Sequence, residues 1–384
     1  MPVKQFRLGF DARLAGIEHA GIGRYSEEIL RELINFTNKL PIKIKWVIFL
    51  ADKNQLPWLK DIPQCEIVVV PIKHYSLAEQ LVLPWYFYHA NLDCLHIPHF
   101  NVPWLYRKDT IVTIHDLLWH QQRDPRATTL APWQYRLKYL AYRFVSRSAI
   151  KSAEVVLVPT QEVKKQIKQI VGRKNQVLVT SEGISQVFLS APSVGEQKRA
   201  AKTKERAPYV VYTGSLYPHK NVDVVLEALT KMEWLHLIVA TSRSVFTQEF
   251  KKMVKQNGLA DRVKILIGQN DQRLMAIYQN ALALIQPSLA EGFGLTGLEA
   301  LAVGLPVVVS DIPVFREVYQ DKADFFNPYQ PEDLVQKLQT LEQNPPSIKQ
   351  LKLAQQWARS FTWKKAAAKT WQAYETVLNY KNTN

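Results

Sequence analysis

Short apolar runs rich in β-branched residues recur along the whole chain, and amphipathic helical stretches fill the gaps between them. The first series is Phe6 to Phe10, Lys45 to Leu50, Ile67 to Val70, Cys94 to Ile97, Ile111 to Ile114, Val155 to Val158 and Val177 to Thr180. A second comprises Tyr209 to Tyr212, Trp234 to Ala240, Val263 to Ile267, Ala283 to Gln286 and Val307 to Val309. Several are continuously apolar rather than alternating, the pattern of parallel strands covered on both faces. Helical periodicity fits the stretches between, among them Gly23 to Asn35, Trp133 to Lys151, Thr296 to Val303 and Pro331 to Glu342. Such alternation predicts a doubly wound α/β architecture.

One segment breaks the rhythm. Residues 190–207 are dense in Lys, Ala and Pro without apolar periodicity, and read as an exposed linker. The second strand series starts directly after it, so the reading is one domain over residues 1–189 and another from 208. A length of 384 residues suits two domains. No run is long and apolar enough for a transmembrane helix, and MPVKQFRLGFDARL reads as a first strand rather than a leader, so a cytoplasmic protein is expected. Cys65 and Cys94 stand in strand-like contexts without metal-ligand spacing and read as buried thiols. The net charge of +15 favours anionic partners. No zinc-finger spacing, RNP-type motif or basic zipper is present, so nucleic acid is not the expected partner.

Ligands of open α/β sheets bind at the carboxyl ends of strands, which directs attention to four turns. In FDARLAGIEHAGIGRY, Gly21 and Gly23 would let backbone N–H groups approach a phosphate at a helix start; a flexible turn is the alternative. In IVTIHDLLWH, His115 and Asp116 fall at a strand end, where a histidine suits a sugar hydroxyl or a structural bond. In YVVYTGSLYPHKN, Lys220 stands beside a helix start and could hold a diphosphate, although the Walker pattern is absent. The fourth, EGFGLTGLEA, combines tight glycines with the amides of Leu295 and Thr296 at a helix start. Glu291 precedes that turn and Glu299 is placed in the helix's first turn, where capping is the competing role.

These motifs, in this order, resemble the retaining nucleotide-sugar glycosyltransferases of the GT-B fold, group 1, family four. The resemblance covers essentially the whole length, from the GIGRY turn through IHD, TGSLYPHKN and the E-(seven residues)-E pattern to the closing FTWKKAAAKTWQAYETVL. It implies two Rossmann-like domains facing across a cleft, an acceptor side at 1–189, a donor side at 208–360, and a helix at 361–384 returning to the first domain. It assigns Glu291 and the amides of Gly292, Phe293 and Gly294 to the donor sugar, Glu299 to the ribose, and Lys220 to the diphosphate. His115 faces the sugar, Gly21 to Gly23 form the N-terminal diphosphate loop, and Arg13 and Asp116 fall on the acceptor side. Two positions depart from the pattern: Ser215 stands where many members have Arg, and Thr296 where many have Pro. Arg243 is a candidate to supply the missing charge.

The resemblance implies transfer of a hexose from a nucleotide-sugar, with retention and without a bound metal, to a glycan or lipid-linked acceptor in cell-surface polysaccharide or glycolipid synthesis. The PHKN and IHD loops are most similar to the mannosyltransferase branch, which favours GDP-mannose over a UDP-sugar. Arg136, Arg143, Arg147 and Lys151 fall on one helical face, read as a contact for an anionic membrane surface or as a solvated basic face. Two other readings remain open: a glycoside hydrolase or phosphorylase using Glu291 and Glu299, and a silent nucleotide-sugar-binding module.

Overall fold

The computed structural model describes residues 5–16, 20–118, 131–171, 176–194, 207–242 and 245–379. It divides into two compact units. The first carries strands β1 (Gln5–Asp11), β2 (Lys43–Leu50), β3 (Cys65–Val69), β4 (Cys94–Ile97), β5 (Thr110–Thr113), β6 (Val155–Val158) and β7 (Gln176–Val179). They form one parallel sheet in the order β3-β2-β1-β4-β5-β6-β7. The second unit carries β8 (Tyr209–Thr213), β9 (His236–Thr241), β10 (Val263–Ile267), β11 (Leu284–Gln286), β12 (Val307–Ser310) and β13 (Asp324–Phe326). Its sheet is also parallel, ordered β10-β9-β8-β11-β12-β13.

Parallel neighbours cannot be joined by a tight hairpin, so the links cross a face and most bury a helix there, although β4 passes to β5 through residues 98–109 without one. The central strands are accordingly covered on both faces: every residue of β4, β5, β6 and β12 is buried. Each sheet has one point where the strand order reverses, between β1 and β4 in the first unit and between β8 and β11 in the second. Loops leaving two adjacent strands there diverge to opposite faces and open a crevice.

The chain enters the second unit after Gly183, not after Leu189 as the sequence reading placed it. Ile184, Phe188 and Ala191 are buried in the second unit's core, with the Phe188 ring stacked 5.9 Å from Tyr278. Residues 195–206 of the expected linker lie outside the described residues. The last segment of the chain belongs to the first unit and begins at Trp363, because Phe361 still packs in the second unit's core. Cys65 and Cys94 are free thiols.

The helix Trp363–Val377 closes the first unit. Trp363, Ala366, Ala367, Thr370, Trp371 and Tyr374 recur at helical spacing and are buried, mostly against the first helix, Ala20–Thr37, and the sheet. A buried polar chain fastens it. The Tyr374 hydroxyl lies 3.1 Å from His96 Nδ1, and His96 Nε2 lies 2.9 Å from Thr113 Oγ1. Tyr25 of the first helix reaches the same Thr113 hydroxyl at 3.3 Å. Burial, with the nearby His115, pushes the His96 pKa down to about 3, so the ring is neutral and can donate and accept within this chain. Removing a large aromatic from such a core costs about 3–5 kcal/mol. Trp371→Ala should therefore lower the first unit's stability by about that much in urea unfolding, whereas Trp133→Ala, at an exposed site, should change it by less than about 0.5 kcal/mol. A Trp371 loss as small as the Trp133 one would mean that the last helix does not close this core.

Candidate functional site

Loops from β8 and β11 meet at the second unit's switch point. After β8 come Gly214 and Ser215, then a 3-10 turn, Pro218–Lys220, that ends on Asn221 in the left-handed region at φ 53°. The turn projects Lys220 toward the loop that leaves β11. There Lys220 Nζ donates to Glu291 Oε1 at 2.6 Å, and Ser288 Oγ donates to the same oxygen at 2.7 Å. A further link, the Leu289 N–H to the His219 carbonyl at 2.8 Å, holds the two loops together. Burial alone would raise the Glu291 pKa; Lys220 and Ser288 more than offset it and hold the carboxyl below its usual range. Burial and Lys220 push His219 down to about 4, so it adds no positive charge beside them.

The loop then turns into the helix Leu295–Val303 through Gly294 at φ 119°. A side chain at Gly294 would strike Tyr319, whose hydroxyl lies 2.5 Å from the Gly294 carbonyl oxygen and 2.6 Å from Gln286 Oε1. Tyr319 thus ties the end of β11 to the helix start and fixes where the first-turn N–H groups of Leu295 and Thr296 point. Such groups, with no preceding carbonyl to bond, form an anion site. Glu299 is not in that first turn, as the sequence reading placed it; the helix begins at Leu295, which sets Glu299 one turn further on, where it is buried. Phe293 is buried and edge-on to Phe361 at 5.8 Å. The Ser215 carbonyl accepts from the Tyr212 hydroxyl at 2.5 Å, so the loop is braced although Ser215 brings no charge. Arg243 lies outside the described residues.

In the first unit, His115 follows β5 and is clamped at both ring nitrogens. Nδ1 lies 2.9 Å from Glu182 Oε1, and Nε2 lies 3.2 Å from the Pro98 carbonyl oxygen. Both partners are acceptors, so each favours a hydrogen on its ring nitrogen and together they favour the imidazolium form. Tyr25 packs edge-on at 4.5 Å. Burial would lower the His115 pKa; the Glu182 hydrogen bond and charge, helped by Asp116, raise it instead. Asp116 accepts from the Leu118 N–H at 3.1 Å and so shapes its own turn. Glu182 went unread in the sequence because nothing local marks a carboxylate that meets a histidine so far back along the chain.

The first helix already begins at Ala20, so Gly21 and Gly23 lie in its first turn. A Cβ on Gly23 would sit 1.9 Å from the Gly16 carbonyl oxygen, while one on Gly21 would meet nothing within 4 Å. Only Gly23 is required by the close approach of the β1 loop. Among the described residues no group of three His, Cys, Asp or Glu could hold a metal ion.

Two parallel-sheet units, each with loops gathered at a switch point, are the GT-B fold of glycosyltransferases. The chain superimposes on sucrose-phosphate synthase from Thermosynechococcus elongatus with a TM-score of 0.77 at 16% identity, covering 97% of this chain and 99% of that one. It also matches Anabaena HepE in complex with UDP and glucose, with a TM-score of 0.71 at 17% identity over 96% and 99% of the two chains. Residues 193–359 match the family described as glycosyl transferases group 1. The O-antigen chain mannosyltransferase RfbU of Salmonella typhimurium is 28% identical over 72% of this chain and 73% of its own. A GDP-mannose:cellobiosyl-diphosphopolyprenol alpha-mannosyltransferase of Xanthomonas campestris is 31% identical over 36% of this chain and 41% of its own. The match to the group 1 glycosyltransferases thus covers the second unit, and the fold over both units is that of GT-B glycosyltransferases.

The clamp on His115 has a pH signature. A pKa raised in the folded state contributes stability that is present below the unfolded pKa and fades as pH rises through the folded one. Glu182→Gln should therefore move the His115 titration, followed by imidazole NMR, to lower pH and flatten the fall in stability on the alkaline side. An unchanged titration would show that Glu182 does not hold the charge.

Proposed function

We propose that this glycosyltransferase is a retaining hexosyltransferase that moves a sugar from a nucleotide diphosphate onto a glycan or lipid-linked acceptor in cell-surface polysaccharide or glycolipid synthesis. The observation that carries the reading is the Lys220–Glu291 pair beside the first-turn amides of Leu295–Val303. Lys220 and those amides take the diphosphate. Glu291 and the amides of Gly292 to Gly294 take sugar hydroxyls, and Glu299 the ribose. The C1–O bond breaks with its electron pair going to the phosphate oxygen, where the same donors stabilise the developing charge without a metal. The acceptor oxygen bonds C1 on that face, and its proton passes to the departing phosphate. Glu291 Oε1 is engaged by Lys220 and Ser288, which favours a binding role over that of a glycosidase nucleophile.

GDP-mannose is the proposed donor, supported by the mannosyl relatives; the HepE complex makes a UDP-sugar the alternative. A thermal-shift series with GDP, UDP and ADP decides the base. At a hundred times its dissociation constant the right ligand stabilises by about 2.7 kcal/mol, a shift of roughly 5–10 °C for domains of this size. Lys220→Ala should weaken the diphosphate about 10- to 100-fold and the nucleoside far less. No shift with any of the three would remove the donor reading.

The acceptor side of the reading places the enzyme on an anionic membrane surface of the cytoplasm. No helix among the described residues is long and apolar enough to cross a membrane. The helix Pro132–Ser152, however, exposes Trp133, Leu137, Leu140 and Phe144, each more than half accessible, in one stripe. Arg136, Arg147 and Lys151 are exposed and Arg143 is half-buried on the same helix. Apolar side chains that enter the acyl boundary beside cations that meet headgroups are how a helix lies in a bilayer surface. Leu140→Glu with Phe144→Glu should reduce co-sedimentation with phosphatidylglycerol vesicles by about tenfold or more, given about 1.5–3 kcal/mol for each buried side chain. Equal sedimentation of the variant would refute this contact.

A further inference from the structure

Three residues of the second unit are shaped around one hydroxyl that lies behind the groups meeting the donor. Tyr319 ends the helix Pro313–Tyr319 and is fully buried. Its hydroxyl oxygen lies 2.5 Å from the Gly294 carbonyl oxygen and 2.6 Å from the Gln286 side-chain amide. A Cβ on Gly294 would come 2.6 Å from that hydroxyl, and one on Gly297 2.3 Å. Gly294 is needed for φ 119° in any case, but Gly297 lies inside the helix Leu295–Val303, where glycine is destabilising relative to alanine. The room that Gly297 keeps clear is the room that the Tyr319 hydroxyl and Gln286 occupy. The next residue, Gln320, is held at φ 52° and ψ −119°, a costly region for a residue with a side chain.

One hydroxyl carries one hydrogen, so two acceptor oxygens at these distances cannot both receive it. Gly294 offers only a carbonyl oxygen, whereas Gln286 can turn its amide nitrogen toward Tyr319. The hydrogen therefore goes to Gly294, and Gln286 donates to the Tyr319 oxygen. Burial, with Glu291 and Glu299 nearby, raises the Tyr319 pKa well above its ordinary value, so the hydrogen is retained. The helix's own bond to the Gly294 oxygen, from the Leu298 N–H, is long at 3.4 Å, which leaves the hydroxyl as its chief partner. The same peptide unit carries the Leu295 N–H, the first of the helix. That unit is trans, so the N–H points away from the buried hydroxyl. A donor at the carbonyl polarises the unit and makes its N–H a stronger donor in turn.

We propose that Tyr319 is a positioning residue for the donor phosphate, the middle of a relay that runs from Gln286 through its hydroxyl to the Gly294–Leu295 peptide unit. The relay strengthens the Leu295 N–H as a donor to the diphosphate while Tyr319 itself touches no ligand. It rests on the donor reading and deepens it.

The test labels the full chain with carbonyl-13C glycine and 15N leucine, which marks only its four Gly–Leu peptides; the Gly294–Leu295 signal is the one lost in Leu295→Met. Tyr319→Phe removes the donor and keeps the ring, whereas 3-fluorotyrosine at position 319, a more acidic phenol, strengthens it. Without ligand, the Leu295 amide proton should move upfield in the first and downfield in the second. Affinity for whichever of GDP and UDP binds should fall about 3- to 10-fold in Tyr319→Phe, with the free nucleoside little changed. A signal that stays in place in both, or moves the same way in both, would mean that Tyr319 only fills space and overturns the relay. So would an undiminished diphosphate affinity in Tyr319→Phe when the wild type binds. A graded Leu295 signal in a chain that binds neither nucleotide overturns the donor reading and leaves the polarised peptide standing.

Discussion

Parallel strand pairing is the constraint on which the rest depends. Each strand of either sheet runs with its neighbour, so all carboxyl ends of a sheet lie at one edge and every return crosses a face. The long apolar strands, the helices that cover them and the gathering of chemistry into a few loops follow from that single fact. At the two switch points the loops cannot close over the sheet, and paired charged residues with little solvent around them are found there. Arg13 and Glu79 line one; Lys220 and Glu291 line the other.

Burying charge is tolerable only where partners meet it, and in each case at least one partner comes from a distant segment. The β11 loop holds Glu291 against a lysine from the β8 loop. His115 after β5 meets a carboxylate that follows β7. Arg13 after β1 meets one from the short helix Leu77–Leu81. Each pair becomes close only when the sheet is complete, so the sites form with the fold. The closing helix adds Tyr374 to this scheme, because its hydroxyl reaches His96 in the middle of the first sheet.

This also explains what was legible in the residues. Most strands announced themselves as β-branched runs, though β13, which has no β-branched residue, did not, and the glycine turns with their glutamates stood out as local patterns. The helices Leu77–Leu81 and Leu83–His89 did not, since Pro84 interrupts the stretch and Leu77, Leu81 and Trp85 face outward against the usual amphipathic rule. The crossing into the second unit was placed too late because Ile184, Phe188 and Ala191 are thinly spaced apolar residues in a polar setting, and only the helices they pack against give that spacing meaning. Lys220 and Glu291 were each noticed, but their pairing was not, for spacing along a chain carries no information about contacts between two crossovers.

The two switch points differ in how their charged residues are met. In the second unit one lysine faces one glutamate, and the first-turn amides of a helix add partial positive charge, so the balance favours a ligand that brings negative charge. In the first, the carboxylates of Asp11 and Glu79 share the Arg13 guanidinium, and His74 also lies against Glu79. The excess of +15 over the whole chain therefore does not describe either site. Part of it lies on the exposed helix Pro132–Ser152, beside an apolar stripe, where a charge excess acts on surfaces rather than on small ligands. Net charge read from composition alone would have described both switch points as sites for an anion.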